Sequence, residues 1–438
     1  MNSQDETYVP WWPLWQRILF RFFFVYLLLQ IAPWNWIPFP RFFPILRWIG
    51  QGTDFAVQTA NAHLFHVRDT LIKTNGSGDT SWAYAQFELY LTFSVFVCVV
   101  WSLLDRKRVN YRRLDYWFRT IVRYSVATYA LSYGIIKLFA LQMAFPTISQ
   151  LATPLGDLLP MRLSWLFLGY SPPYQTFSGV IEVIAGLLLL NRRTITLGLI
   201  VAAGAFVNVL MINLSYDVPV KLFASHMMLA CSYLLATDAR RLTAFFLLNR
   251  AVPGTLAYEP NFARPWQRYT AMAVKAGMIL LILLIPLNKA YQRSQRLANT
   301  PPARPFRTGV YNVVHYAVNG DTLPAVLSDS IRWRDVIFDN NDQGSVNTTD
   351  PVFWQRYRRG YFRYRADTTK HTVAVWKTST VPGDSTWLFS MRYETPDTSS
   401  IRFWTKIRND SVYVELARTP RHFQLAERQF HWLSEFVR

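Results

Sequence analysis

Residues 174–215 read YQTFSGVIEVIAGLLLLNRRTITLGLIVAAGAFVNVLMINLS. Two apolar runs, about 174–191 and 195–215, are separated by Asn191-Arg192-Arg193. Each run is close to the roughly 20 residues that a helix needs to cross a bilayer. Lys and Arg gather in short cytoplasmic loops, so a pair of arginines between two such runs reads as an inner turn. This stretch decides the fold class: a bundle of membrane-crossing helices, from which the rest of the chain can be read outward.

Five further runs of the same kind lie at about 18–37, 84–104, 116–141, 219–237 and 268–288, giving about seven spans. The first contains FRFFFVYLLLQ and ends at Pro33-Trp34-Asn35-Trp36, an aromatic cluster suited to the membrane interface. Without a basic leader or a small-x-small cleavage site, it is expected to be an uncleaved anchor. Basic residues at Arg106–Arg108, Arg112 and Arg113, at Arg192 and Arg193, and at Arg240, Arg241 and Arg250 mark three cytoplasmic connections. The alternation places the N-terminus inside and the C-terminal part outside. Two outer loops are long. Residues 38–83 hold His63, His66 and the turn Asn75–Thr80; residues 142–173, with five prolines and one basic residue, suggest re-entrant or interfacial structure packed over the bundle.

Composition agrees. Only 17% of the 438 residues are charged and 51% are hydrophobic, against about 25% charged in soluble domains. A soluble cytosolic enzyme, a disordered chain and a disulfide scaffold are excluded. The net charge of +19 sits largely in loops flanking apolar runs, which argues for membrane orientation and against nucleic-acid binding. Cys98 and Cys231 both lie inside apolar runs and form no CxxC pair. The mean hydropathy of +0.08 averages two unlike parts.

The second part begins near residue 305, after a linker at 291–304 that follows the membrane domain, 1–290. Alternating segments at about 311–318, 331–338, 361–366, 371–378, 386–394, 400–408 and 411–418 predict an antiparallel β-rich domain, a sandwich or small barrel. Asn319-Gly320-Asp321 is a strong hairpin signal, and Thr395–Ser399 and Asn409-Asp410 are further turns. Phe430-His431-Trp432-Leu433 reads as a docked final segment. From residue 291 onward there are 21 Lys and Arg against 14 Asp and Glu. Such a surface suits anionic lipid headgroups, an anionic ligand or a protein partner in the cell envelope.

Charges inside spans are costly and ordinarily face a bundle interior or an aqueous cavity. On the third span, Arg119, Arg123, Ala130, Gly134 and Lys137 fall within about 60° of arc at 100° per residue. That predicts one polar, small-residue face turned towards other helices, with Val122, Leu131 and Ile135 opposite. Arg119 and Arg123, near the inner end, are expected to snorkel to headgroups. On the fourth span, Gln175, Ser178, Gly179, Glu182 and Gly186 form a close-packing face with one acid on it. Glu182 lies about 12 Å below the outer end at 1.5 Å per residue, a level Lys137 can reach. A Glu182–Lys137 pair is expected. Glu88, Gln142, Asn208, Asn213, Asp217, Lys221 and His226 share that outer level. They compose either a polar network that orients helices or an outward-facing cavity for a polar or redox-active molecule. Lys137, Glu182 and His226 are the catalytic candidates, and the other six are ligand-binding candidates. His63-x-x-His66 lacks a third nearby ligand other than His226, so no metal site is expected, and no haem or iron–sulfur ligand set is present.

The order Gly134-Ile-Ile-Lys137, outer loop, Gly179-x-x-Glu182-x-x-x-Gly186, Arg-Arg turn and further apolar spans resembles the bacterial DoxX family over roughly residues 115–240. The resemblance implies a small inner-membrane bundle, related to a subunit of a quinone-reducing enzyme, with Lys137 and Glu182 as the positions carried over and a quinone as the implied ligand. Added spans at both ends and the β-rich domain depart from that pattern. A second, architectural likeness is to the HTTM proteins, which combine a helical membrane part with a β-rich domain and would use Lys137 as a buried base. Three readings follow: an inner-membrane protein with a quinone- or lipid-sized cavity in an envelope redox system; a non-enzymatic anchor presenting residues 305–438 to an envelope protein; and a membrane enzyme with a lysine base. A transporter is disfavoured by the absence of clear inverted repeats.

Overall fold

The structure is a computed structural model that describes residues 11–33, 44–73, 78–252, 264–299, 305–324, 332–340, 342–378, 386–428 and 431–433. The interfacial cluster at 34–36, residues 75–77 of the first outer loop and Phe430 lie outside them. By its internal contacts the chain divides into two compact units. One comprises residues 1–142 and 173–293, the other 143–172 and 294–438.

The first unit is helical: α1 (Leu14–Ile31), α2 (Pro44–Ala60), α3 (Ser81–Leu104), α4 (Arg112–Leu138), then, after the excursion into the second unit, α7 (Pro172–Leu190), α8 (Ile195–Ser215), α9 (Lys221–Ala236), α10 (Ala239–Leu242) and α11 (Pro265–Ala298). The excursion holds α5 (Ile148–Leu151) and α6 (Pro160–Tyr170). Among the described residues, five stretches are helical, long and apolar enough to cross a membrane: Leu14–Ile31, Ser81–Leu104, Pro172–Leu190, Arg192–Ser215 and Pro265–Ala298. These mark the chain as membrane-associated. The third and sixth expected spans are helices outside that set: Asp115, Arg119, Arg123 and Lys137 make α4 too polar, and α9 has only 16 residues. Helix α3 shows the pattern expected of a lipid-facing element. Only Ala85, Ser94 and Cys98 are buried along its 24 residues, while Phe96, Val99 and Leu104 stand exposed.

Helix α4 departs from the expectation of a single inward face. Val122, Leu131 and Ile135, expected on the far side, are buried together with Gly134 and Lys137. The helix is packed by α1, α7 and α9, so protein meets it on more than one side. Arg123 is consequently buried with its guanidinium 4.9 Å from the Tyr124 ring, and does not reach outward. Arg119 pairs with Asp115 one turn away.

The second unit is built on an antiparallel barrel. Strands β1 (Gly309–Val318), β3 (Asp335–Phe338), β4 (Gln343–Val346), β6 (Arg359–Asp367), β7 (Thr372–Lys377), β8 (Trp387–Glu394), β9 (Ser400–Ile407) and β10 (Asp410–Thr419) pair in sequence, and β10 closes on β1. Two short strands, β2 (Asp321–Thr322) and β5 (Trp354–Arg356), hang on β1 and β6. The barrel arises because alternate residues point inward and are large and apolar; a barrel of eight strands has an interior that side chains can fill. Phe306 and Phe338 stack at 4.7 Å between centroids, and Phe353, Tyr364, Tyr393 and Phe403 complete an aromatic plug. Closure removes the exposed edges that a sandwich would leave.

Asn319 and Gly320 both adopt positive φ, 52° and 96°, the geometry a two-residue hairpin requires. Three sequence expectations need correction. The segment 331–338 is a strand only from Asp335, and the short strand β4 follows it unannounced. The last hairpin turns at Arg408-Asn409, one residue earlier than expected, with Arg408 at φ 58°. In the terminal segment, expected to be docked, Trp432 and Leu433 are exposed.

The excursion 143–172 groups with the barrel in the second unit. Thr147 and Gln150 form a reciprocal capping box that starts α5, and Ser149 next to it is fully buried. The Ser149 amide donates to Asp339 Oδ1 (3.1 Å), and Ser345 Oγ on β4 donates to Ser149 Oγ (2.7 Å). Arg359 Nε donates to the same Ser345 hydroxyl (2.8 Å) and its guanidinium pairs with Asp335. Burial pushes the Asp339 carboxyl above its ordinary range, with the Ser149 hydrogen bonds opposing. Further along, Asp157 pairs with Arg358 (3.0 Å) and Arg162 donates to the Tyr357 hydroxyl (3.0 Å). Tyr357 and Arg358 form the β5–β6 turn with φ of 52° and 55°, a conformation unfavourable for bulky residues, and both are gripped by the excursion.

Candidate functional site

The helical unit brings its two glycine motifs together. A Cβ on Gly134 would sit 2.9 Å from the Gly179 carbonyl oxygen, and one on Gly179 would sit 2.7 Å from the Gly134 carbonyl oxygen. The α4 and α7 backbones therefore touch at a crossing that only residues without a side chain permit. Further along α7, Gly186 lies against Leu131, where a Cβ would be 2.6 Å from Leu131 Cγ. The crossing fixes Lys137 and Glu182 face to face, and the ammonium group donates to Glu182 Oε1. Both side chains are buried, at 9% and 3% exposure, so neither is solvated and each depends on the other. Glu182 Oε2 accepts no hydrogen bond among the described residues although it is buried. Just beyond, the Gln142 backbone N–H donates to Gln175 Oε1 (2.9 Å), and the Thr176 hydroxyl donates to the Leu138 carbonyl (3.4 Å).

His226 belongs to a different group. Its Nδ1 is 2.6 Å from the Leu222 carbonyl, which can only accept, so Nδ1 carries a proton. With the ring neutral, Nε2 is then an acceptor, and Tyr26 of α1 donates its hydroxyl to it at 2.6 Å. The Phe87 ring stands 5.9 Å away, nearly edge-on. A third group forms at the start of α9. Asp79 accepts from the backbone amides of Lys221 (2.8 Å) and Leu222 (3.0 Å), while Lys221 pairs with Asp217 at 2.7 Å. Asp217 is exposed and holds a positive φ of 51°.

The nine expected site residues are thus divided among separate groups: Lys137 with Glu182, Gln142 with Gln175, His226 with Tyr26, and Lys221 with Asp217 and Asp79. Asn213 is buried, and its Nδ2 donates to no acceptor among the described residues. Asn208 is exposed. Five positions at 100° each set the two asparagines about 140° apart around α8, so one cannot face inward with the other. Glu88 is half-buried on α3. His63 and His66 are exposed just after α2, within the first long loop.

Sequence reasoning missed the most buried charge of the unit. Arg21 of α1, 1% exposed, donates to the Tyr111 hydroxyl (3.0 and 2.8 Å), Ser102 Oγ (2.9 Å) and the Asp105 carbonyl (2.9 Å), while Tyr111 donates to the Asp105 carboxylate (2.8 Å). An arginine inside the aromatic run FRFFFVYLLLQ was the available signal, since a charge there must find partners. Asp79 and Tyr26 were also missed; the first sits in an ordinary-looking turn and the second among apolar neighbours.

Comparison with known proteins adds little to this geometry. No family model and no solved structure matches the chain. Over 84 residues, 19% of its length, it is 36% identical to the Bacillus subtilis protein YwoB, which is itself uncharacterised. The match spans about half of that relative, 54% of its length, so YwoB is a partial likeness.

Proposed function

We propose that the chain is an inner-membrane protein whose helical unit, with its N-terminus in the cytoplasm, carries the barrel unit outside that membrane and presents it to an envelope partner. The observation that carries this reading is the discontinuous second unit. The chain leaves α4, contributes 143–172 to the barrel unit, returns at α7, and enters the barrel again after α11. The C-terminal ends of α4 and α11 and the N-terminal end of α7 then belong on the barrel's side of the membrane. Counting α1, α3, α4, α7, α8, α9 and α11 as spans from an inside N-terminus puts all three ends outside, in agreement with the basic loops. The aromatic plug fills the barrel, which fits presentation of an outer surface better than enclosure of a ligand.

The test is cysteine accessibility in whole cells. In a Cys98→Ser/Cys231→Ser background, Gly156→Cys in the excursion and Ser399→Cys in the barrel should both react with an impermeant maleimide. Lys107→Cys in the α3–α4 connection should react only after permeabilisation. Labelling of positions 156 and 399 from opposite sides overturns the reading.

The unspent oxygen of Glu182 favours a second reading, in which the glycine crossing holds a quinone- or lipid-sized molecule, as the DoxX resemblance implies. Solvent extraction and mass spectrometry of purified wild type and Glu182→Gln test it. A stoichiometric quinone that disappears in the variant supports it; bulk lipid alone in both samples removes it.

A further inference from the structure

The outer wall of the barrel carries an aromatic and cationic shelf that none of the preceding functions uses. Strand register sets Ala317 (β1) opposite Tyr413 (β10), Tyr413 opposite Trp404 (β9), and Trp404 opposite Arg392 (β8), one row across four strands. Their neighbours Val412, Val414 and Phe403 point into the plug, so this row points outward. The Tyr413 and Trp404 rings lie 5.4 Å apart, and the Arg392 guanidinium is 5.5 Å from the Trp404 centroid. Lys406, paired in register with Ser411, borders the same side. Together these residues line an open concavity of about 470 Å³, floored by Ala317 and Gly320.

The charges are arranged unevenly. In the neighbouring row Arg402 is neutralised by Glu415 at 3.0 Å and stands opposite Glu394. Arg392 and Lys406 have no carboxylate partner among the described residues. Two aromatic faces offer the surface against which the C–H face of a pyranose ring packs. Two unspent cations suit carboxylates, for which a guanidinium is a charge-assisted donor. The open outline admits a chain that continues past the shelf, whereas small-molecule sites are enclosed. We propose that this shelf binds an acidic glycan, with sugar rings on Trp404 and Tyr413 and carboxylates on Arg392 and Lys406.

The experiment uses the full chain in lipid nanodiscs, titrated calorimetrically with hexagalacturonic acid and, as the uncharged counterpart, cellohexaose. The acidic hexamer should bind saturably and at least tenfold more tightly than cellohexaose. Trp404→Ala should weaken it at least tenfold. Arg392→Gln/Lys406→Gln, two surface changes that leave the plug untouched, should abolish the preference for the acid, and Arg365→Gln elsewhere on the barrel should retain it. Thermal unfolding of each variant identifies any that fails to fold, and the Arg392/Lys406 variant then decides alone. Absence of saturable binding to wild type overturns the proposal. So does equal affinity for the two hexamers, or a loss as large in Arg365→Gln as at the shelf.

Discussion

Among the described residues each unit holds an ion pair largely shielded from solvent, and the two pairs are built differently. In the helical unit, Lys137 and Glu182 meet because two glycines let α4 and α7 touch, and Glu182 keeps one buried oxygen that accepts no hydrogen bond among the described residues. In the barrel unit, Arg359 is held by Asp335 and Ser345, and Ser345 in turn by Ser149, whose amide serves Asp339. A buried pair is by itself weak evidence for stability, because desolvation offsets the attraction. The informative difference is in what remains unspent. The barrel network ties three segments distant in sequence into one unit and uses its hydrogen-bonding capacity there; the bundle pair leaves capacity facing inward, where a ligand could use it.

The comparison breaks most readily at Arg359. Truncation by Arg359→Ala strands the Asp335 charge and removes the donor to Ser345, and should cost about 3–5 kcal/mol in barrel unfolding followed by near-ultraviolet circular dichroism. An effect under about 1 kcal/mol would mean that the network does not hold the unit together.

A smaller loss is expected at the glycine crossing. Gly179→Ala drives a methyl group to 2.7 Å from the Gly134 carbonyl oxygen, so the helices must separate, at about 1–3 kcal/mol. Detergent-solubilised protein should show a lower unfolding midpoint, because separating the helices also draws Lys137 away from Glu182. Wild-type behaviour would show that the crossing is looser than the backbone geometry implies.

The smallest expected effect is a pH dependence that sharpens the barrel side. Burial raises the folded Asp339 carboxyl above its unfolded value. The folded state therefore holds this proton more tightly, and the contribution to stability is fullest below the unfolded value. It is lost as pH rises through the raised folded value. Asp339→Asn should flatten the unfolding midpoint across that acidic window while retaining an oxygen to accept from Ser149. A profile unchanged from wild type would remove Asp339 from the titration.

Much of this was legible in the sequence. Each of the seven apolar runs fell on a helix, five of them long and apolar enough to cross a membrane among the described residues, and alternation located the principal barrel strands, since both patterns are local. The Lys137–Glu182 pair was legible because glycine spacing and helix depth constrain it. The division of the other polar residues into separate groups was not. Depth says nothing about azimuth: Asn208 stands exposed, and His226 meets Tyr26. Arg21 escaped notice among phenylalanines. The assignment of 143–172 to the barrel rests on Ser149 meeting residues nearly two hundred positions away, which no local pattern encodes.

This excursion is part of the barrel unit although the chain inserts it between α4 and α7. Hydrogen exchange of the full chain in nanodiscs, wild type against Arg359→Ala, tests it directly. Protection should fall together in 148–170 and the barrel strands while α4 and α7 keep theirs. Protection in 148–170 that stays with α4 and α7 when the barrel loosens would contradict it.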